Sequence, residues 1–308
     1  MLGTINDDRT LEAFLKKSTV DFLNPIAESF FGNLKHIRAL MHLPDLMFIM
    51  AESERGIRTL SLEWARQNWG MDYEAFTKKV LEDVKPFIEH TAPKEFYEEV
   101  YNNSQKRFQK YLQDPEDGPI FSASINVLYS TAILYCWTVL ECVATDCWVA
   151  AVNANAQPLG QMAITSLEDQ EPGEISSKQI PVGLAAKHGF DLRFCLGDLL
   201  KSKFDFTSVV GIKKAYKVFG PLSDYVEEAF AFPLLSELEA TRHVIVHRAG
   251  KVDEDYKKRL QSVLEIGTTI SFSQKSVMDF QGISSVVGLS LLTFVHNWVQ
   301  NNIKNAKQ

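Results

Sequence analysis

One apolar stretch, Ser122 to Val152, limits what this chain can fold into more than any other feature of the sequence. It is apolar on nearly every side of a helix, so only a minor part of its surface can face water. Its length also suits a membrane span. However, Glu141 and Asp146 lie in its middle, and charges at bilayer depth are costly. The stretch therefore predicts a buried central helix in a protein that does not enter a membrane.

Composition and charge narrow the class of protein. The chain of 308 residues has 45% hydrophobic and 23% charged residues, which is typical of a soluble globular protein. Its net charge of −7 argues against binding nucleic acid through an overall positive field, so any such binding requires a local basic patch. The four cysteines have neither zinc-site nor disulfide spacing, and the amino terminus lacks a signal-peptide pattern. We expect a cytoplasmic protein with free thiols.

Helical periodicity covers most of the remaining chain and predicts an all-α fold. At most one short β element is expected, near residues 268–273, where β-branched residues cluster. Pro25 and Pro44 are expected to break the early helical patterns into shorter helices. No glycine-rich phosphate loop and no internal repeat is visible.

Two polar segments suggest the domain organisation. Residues 114–119, Asp-Pro-Glu-Asp-Gly-Pro, break the helical pattern and predict a linker between a helical region at 1–113 and a helical domain at 120–308. A loop inside one helical domain is the alternative. Residues 153–181 are long, polar and contain prolines, and we expect a mobile loop there.

A lysine-rich segment is the best candidate for a local basic surface. Lys213, Lys214 and Lys217 lie in one short helical pattern. They would suit contacts with a phosphate backbone. An ordinary solvated helix face is the alternative interpretation.

The segment from Ser236 to Gly250 joins a helical apolar pattern to a cluster of ionisable groups that includes two of the chain's seven histidines. Arg242 and His247 are separated by about 140° and about 7.5 Å along an ideal helix. His243 and His247 are four residues apart and share a face. This is where the sequence indicates chemistry.

Three interpretations of this segment compete. Metal binding is suggested by the spacing of the two histidines, but no glutamate follows the first and no third ligand is evident. A structural role would use Arg242 and the histidines to satisfy carbonyls and the dipole at a helix end. Ribonuclease chemistry would use an imidazole to transfer a proton and a guanidinium to hold the scissile phosphate, and requires no metal.

The run Arg242-His-Val-Ile-Val-His247 resembles the R-polar-x3-H motif of the HEPN superfamily, all-α domains that include many ribonucleases of toxin–antitoxin, abortive-infection and CRISPR systems. The continuation through Tyr256 is similar to the run that follows the motif in HEPN proteins of bacterial defence loci. His243 stands where asparagine is frequent in that family. The likeness covers about Ser122 to Gln300, and residues 1–113 match no family known to us.

The resemblance implies a helical bundle that dimerises, so that two copies of the motif face one another across a cleft. In that arrangement His247 is the general acid/base, Arg242 contacts the scissile phosphate and His243 polarises or positions one of them. Attack by the RNA's own 2′-OH would leave a 2′,3′-cyclic phosphate, without metal or cofactor. Glu141 or Asp146 would orient the basic residues, with a plain buried ion pair as the alternative. Lys213, Lys214, Lys217 and Arg248 would guide the RNA backbone.

We therefore expect a metal-independent RNA endonuclease that acts as a homodimer, in the manner of a toxin or anti-phage effector restrained by an antitoxin or sensor protein. A non-catalytic HEPN-like module that binds RNA, nucleotides or partner proteins is the alternative, and the net acidity of the chain favours it. A third possibility is a structural all-α protein with a coincidental motif. It predicts that Arg242 and His247 point into a core.

Overall fold

A computed structural model describes residues 7–67, 74–75, 78, 82, 94–170, 186, 189, 191 and 194–305. Helix accounts for 82% of the interpretable residues, and none of them lies in a strand or sheet, so the predicted all-α fold is confirmed. The α-helices of the described ranges are α1 (Asp7–Lys17), α2 (Asn24–Gln67), α3 (Lys94–Leu112), α4 (Gly118–Ala154), α5 (Ala156–Gln170), α6 (Leu196–Leu200), α7 (Val209–Tyr216), α8 (Asp224–Ala231), α9 (Pro233–Arg248), α10 (Glu254–Leu260) and α11 (Gln274–Asn305). Short 3-10 turns at Asp21–Leu23, Lys201–Lys203 and Lys217–Phe219 adjoin them.

The prediction that proline divides the early helices is wrong, because α2 runs as one helix through both proline positions. Pro25 lies in its first turn, where a missing N–H removes no helical hydrogen bond. Pro44 lies inside the helix, where the loss of one hydrogen bond is compatible with a kink instead of a break.

Contacts divide the chain into two compact units, one made of residues 1–38 and 129–308 and the other of residues 39–128. The predicted boundary at 114–119 does not coincide with this division, which passes through α2 and α4. Within the smaller unit, residues 113–117 form a tight turn between α3 and α4, in which Asp114 Oδ1 accepts from the backbone N–H groups of Glu116 and Asp117 at 2.9 Å. Phe121 packs edge-on against Phe108 and Tyr111 on α3.

In the larger unit, the second half of α4 is the buried central helix that the sequence predicts. Trp137 and Trp148 are almost completely buried. The Trp148 indole donates to the carbonyl of Ala215 at 3.0 Å, and the Tyr216 hydroxyl donates to the carbonyl of Ala144 at 2.8 Å. These two hydrogen bonds join α4 to α7 in both directions, which satisfies the polar atoms of two large buried rings.

The first turns of α2 pack against α11 in the same unit. Phe30 lies directly on Gly288, where an added Cβ atom would overlap the phenyl ring. The buried Gln281 amide donates to the carbonyl of Leu34 at 3.0 Å. Arg38 donates to the same side chain at 3.4 Å. Gly288 therefore permits α2 and α11 to approach closely, and the hydrogen bond from Gln281 fixes how the two helices are aligned.

The predicted loop at 153–181 needs correction in its first half. Residues 156–170 form α5, and Leu159 and Ala163 on one side of it are fully buried. Burial of this short apolar side stabilises the helix, although the polar composition of the segment predicted a loop. Residues 171–181 lie outside the described residues. The β element expected near 268–273 amounts to one isolated bridge, between Lys251 and Thr269.

Two helices, α4 and α11, are long and apolar enough by length and composition to cross a membrane. In the most apolar window of each, 50% and 61% of the residues respectively are buried within the protein. The core helices of a soluble bundle have the same length and composition. The cytoplasmic location stays a prediction.

Candidate functional site

The regular spacing of apolar residues along α9 determines which way the motif faces. Pro233 begins the helix, where its fixed φ suits the first turn. Four of its buried side chains recur every three residues, namely Leu235, Leu238, Thr241 and Val244, and Ala240 is also buried. His243 and His247 lie on the exposed side, and Arg242 is half-buried beside the apolar stripe. The motif therefore lies at the protein surface.

The carboxyl end of α9 is closed by backbone groups. Ala249 and Gly250 adopt positive φ angles of 52° and 76°. Both N–H groups point to the carbonyl of Val244, with Gly250 N at 3.0 Å, and the N–H of Lys251 donates to Arg248 O at 3.1 Å. These are the bonds that ordinarily satisfy a helix end. Arg242, His243 and His247 are not used for that purpose.

A short extended connection holds this helix end in place. The Val252 N–H donates to Thr268 O at 2.9 Å, and the Ile270 N–H donates to Gly250 O at 2.9 Å. Below these bonds, apolar side chains from α9, α10 and the connection form a small cluster. Its buried members are Ala240, Val244, Val252, Tyr256 and Ile270. The residues that follow the motif therefore hold the carboxyl end of α9, and with it the motif, in place.

The two histidines of the motif are in contact. Their ring centroids are 4.7 Å apart and the rings are inclined at 48°. This confirms the predicted common face of His243 and His247. Apart from this ring contact, His247 has no polar partner among the described residues. An exposed imidazole with unoccupied ring nitrogens can both accept and donate a proton.

Arg242 makes no hydrogen bond or ion pair with any residue that the structure describes. A half-buried guanidinium ordinarily finds an acceptor, because its five donors are costly to leave unpaired. Its free donors can receive an anion with planar, two-point geometry.

Arg248, which directly follows the motif, is paired. Its Nε lies 3.4 Å from Oδ2 of Asp253. Asp253 also caps α10, with Oδ1 accepting from the Tyr256 N–H at 2.8 Å. The bond from Tyr256 foremost, then Arg248 and the nearby His243, lowers the pKa of Asp253. Sequence reasoning did not include Asp253 in the site, although its position before a short helical pattern is a recognisable capping signal.

The acids predicted to support the motif make their described contacts elsewhere. Glu141 accepts from the Trp137 indole at 3.2 Å. Partial loss of hydration raises the pKa of Asp146, and the positive charge of Lys201 opposes that rise. No described contact joins Glu141 or Asp146 to Arg242 or to the motif histidines.

The three predicted RNA-binding lysines do not form one surface. Lys213 is paired with Glu227 on α8 at 2.5 Å, and its ammonium lies 5.9 Å from the centre of the Phe230 ring. Lys214 and Lys217 line an open cleft against α5. The basic patch visible in the sequence is therefore divided between two sides of α7.

No group of three or more His, Cys, Asp or Glu side chains suited to holding a metal ion occurs within the described ranges. No family model, curated protein or solved structure matches this chain.

Proposed function

We propose that this protein is a metal-independent RNA endonuclease of the HEPN type, with its active site at the carboxyl end of α9. The observation that carries the proposal is the set of unused groups there. Arg242 has no described acceptor, His243 and His247 are exposed and in contact, and the helix end is closed without them. The structural interpretation assigns these side chains to that end, and so does not account for them.

The chemistry follows from the capacity of each group. A neutral imidazole, assigned to His247, accepts the proton of a ribose 2′-OH as that oxygen attacks the adjacent phosphorus. The P–O5′ bond breaks, and an imidazolium returns a proton to the leaving 5′ oxygen. The products are a 2′,3′-cyclic phosphate and a 5′-hydroxyl end. Arg242 holds the non-bridging oxygens and stabilises the charge that develops on them.

His243 has a positioning role in this proposal. Its ring contact with His247 restricts the orientation of the catalytic imidazole. Asp253, whose pKa is lowered chiefly by the bond from Tyr256, also interacts electrostatically with His243. A second copy of the chain would bring a second Arg242 and His247 to the same phosphate, and so supply acid and base from different copies.

The direct test is incubation of the purified protein with total RNA in the presence of EDTA. We expect cleavage by the wild type, 2′,3′-cyclic phosphate ends by mass spectrometry, and loss of cleavage in His247→Gln. His36→Gln is the matched control, because His36 is also an exposed histidine on a helix of the same unit. Equal cleavage by the wild type and His247→Gln would overturn the proposal.

A non-catalytic module that binds RNA is a second candidate, favoured by the charge of the chain. The net charge is −7, and Lys213 and Arg248, two of the cations expected to guide RNA, are paired with acids. This candidate predicts RNA binding that depends on Arg242, without strand cleavage at any pH between about 5 and 9, the range over which imidazole changes its charge. Gel-shift and cleavage assays on the same samples distinguish the two candidates.

A further inference from the structure

An open cleft lies between α5 and the end of α7, within the larger unit. Its volume is about 500 Å³, within the range of roughly 300–1,000 Å³ typical of small-molecule sites. The residues that line it are Gln161, Met162, Thr165, Ser166, Lys214, Lys217 and Val218. Two of them are cationic and none is acidic.

Both lysines that line the cleft have their side chains on the same side of the chain. Lys214 and Lys217 are three residues apart across the last turn of α7 and the 3-10 turn that follows, which places their side chains on one side. Neither ammonium is within ion-pair distance of a described acid. Lys214 interacts electrostatically with Asp205, whose pKa is lowered chiefly by hydrogen bonds from Ser208 and Thr207 and in smaller part by Lys214. Their neighbour Lys213 is paired with Glu227.

Asp205 does not compete strongly for Lys214. Its carboxylate already accepts from the Thr207 N–H and hydroxyl at 2.7 Å each and from the Ser208 hydroxyl. These bonds close the turn before α7, where the Ser208 hydroxyl in turn accepts from the Gly211 N–H. The carboxylate that interacts electrostatically with Lys214 is thus occupied by local capping.

The opposite wall supplies neutral groups. Gln161 carries an exposed amide, and the Thr165 hydroxyl donates its proton to the Gln161 carbonyl at 3.0 Å. Met162 is 45% exposed and gives this wall an apolar, adaptable surface. The cleft therefore offers two positive charges on one side, an amide donor on the other, and an apolar contact between them.

We propose that this cleft binds a small phosphomonoester that carries an apolar group. A phosphomonoester bears about −1.5 to −2 charges at pH 7, which matches two ammonium groups, and lysine binds phosphate as a point charge. A phosphodiester, such as each link of RNA, bears one charge and would leave one lysine uncompensated. The apolar part of the ligand contacts Met162. This site is separate from the motif on α9 and does not depend on the ribonuclease proposal.

The test uses phenyl phosphate as the probe, with binding to the full chain measured by isothermal titration calorimetry near neutral pH. We expect saturable binding that weakens by roughly tenfold or more in the double variant Lys214→Gln/Lys217→Gln. Lys213→Gln is the matched control, because it removes a paired lysine one position away, and its affinity should stay within about twofold of the wild type. Circular dichroism confirms that the variants fold.

Two further experiments distinguish binding of a phosphomonoester from binding of a phosphodiester. The affinity for phenyl phosphate should fall as the pH drops below about 6, the second pKa of a phosphomonoester. Dimethyl phosphate and a 2′-O-methyl RNA oligomer, which offer only diesters, should bind the double variant as they bind the wild type. Equal binding of phenyl phosphate by the double variant and the wild type would overturn the proposal, as would lysine-dependent binding of the oligomer alone.

Discussion

Arg242 is the residue at which a structural role and a functional role predict opposite results. It makes no described hydrogen bond or ion pair, so its removal deprives the folded protein of no partner within the described residues. We expect Arg242→Gln to change the free energy of unfolding by no more than about 0.5 kcal/mol. The same substitution should lower the rate of RNA cleavage by about 10²–10³-fold, the usual effect of losing one transition-state donor.

Urea unfolding and single-turnover cleavage, measured on the same preparation, check this expectation. Lys251→Gln is a suitable control, because Lys251 is another cation near the end of α9 but is exposed to solvent. A large loss of stability with unchanged cleavage would show that Arg242 is structural.

The cap that Asp253 provides for α10, next to the motif, can be tested by varying the pH. Because its pKa is lowered in the folded protein, chiefly by the bond from Tyr256, the ionised carboxylate stabilises the fold above its unfolded pKa of about 4. That stabilisation is lost as the pH falls through the lower, folded pKa. Asp253→Ala should cost about 1 kcal/mol at neutral pH, the usual value of a helix cap.

Asp253→Asn should keep most of the cap and remove the pH dependence that Asp253 contributes. Urea unfolding at several pH values between about 3 and 7 measures the difference between wild type and the asparagine variant, since this range spans the titration of an aspartate. A difference that stays constant over this range would contradict the capping role of the charge.

Among the helices, the close contact of α2 with α11 depends on Gly288, which has no side chain. A Cβ at position 288 would overlap the end of the Phe30 ring, which is buried. We expect Gly288→Ala to destabilise the protein by about 1–3 kcal/mol, the typical cost of overpacking. Thermal and urea unfolding measure this change.

Gly32 is the matched control, since it lies on α2 and a Cβ added there would meet no atom within 4 Å. Gly32→Ala should stabilise the protein by up to about 1 kcal/mol, because alanine is the better helix former. Phe30→Leu combined with Gly288→Ala should recover part of the loss. Equal effects at 32 and 288 would indicate that helix propensity, and not the contact with Phe30, decides both.

For the whole molecule, the proposed cleavage depends on two copies of the chain. If acid and base come from different copies, specific activity should fall on dilution, in step with the loss of dimer seen by sedimentation velocity. Mixing wild type with excess His247→Gln should then lower activity more than dilution with buffer does. Constant specific activity across the dissociation range would show that one copy suffices.

The predictable part of the fold came from patterns that are local in the chain. Apolar spacing predicts the helices, and the spacing of His243 and His247 predicts that they share a face, because one helical turn brings residues four apart together. It also predicts the burial of the second half of α4, since a stretch without a polar side must be enclosed, but residues 122–128 of the same stretch are not buried. The same reasoning failed for 156–170, where a short apolar side among polar residues supports α5.

The partners of polar side chains depend on how the helices pack together, which local sequence patterns do not reveal. Lys213 and Lys214 are neighbours in sequence, but Glu227 pairs with one and the wall of α5 faces the other. Glu141 fits an ion-pair role by composition, yet the packing of the helices brings no described contact between it and Arg242, and its described partner is the Trp137 indole one turn away on the same helix. Such choices follow from which side chains the packed helices bring within about 3 Å.

The sequence by itself determined that this protein is helical, that α4 is central, and that an arginine and two histidines lie close together on one helix. Only the tertiary structure decided that the end of α9 is closed by its own backbone, which leaves those three side chains unused. The reason is physical: helical periodicity is a property of each segment alone, whereas the satisfaction of a polar group depends on every segment that packs around it.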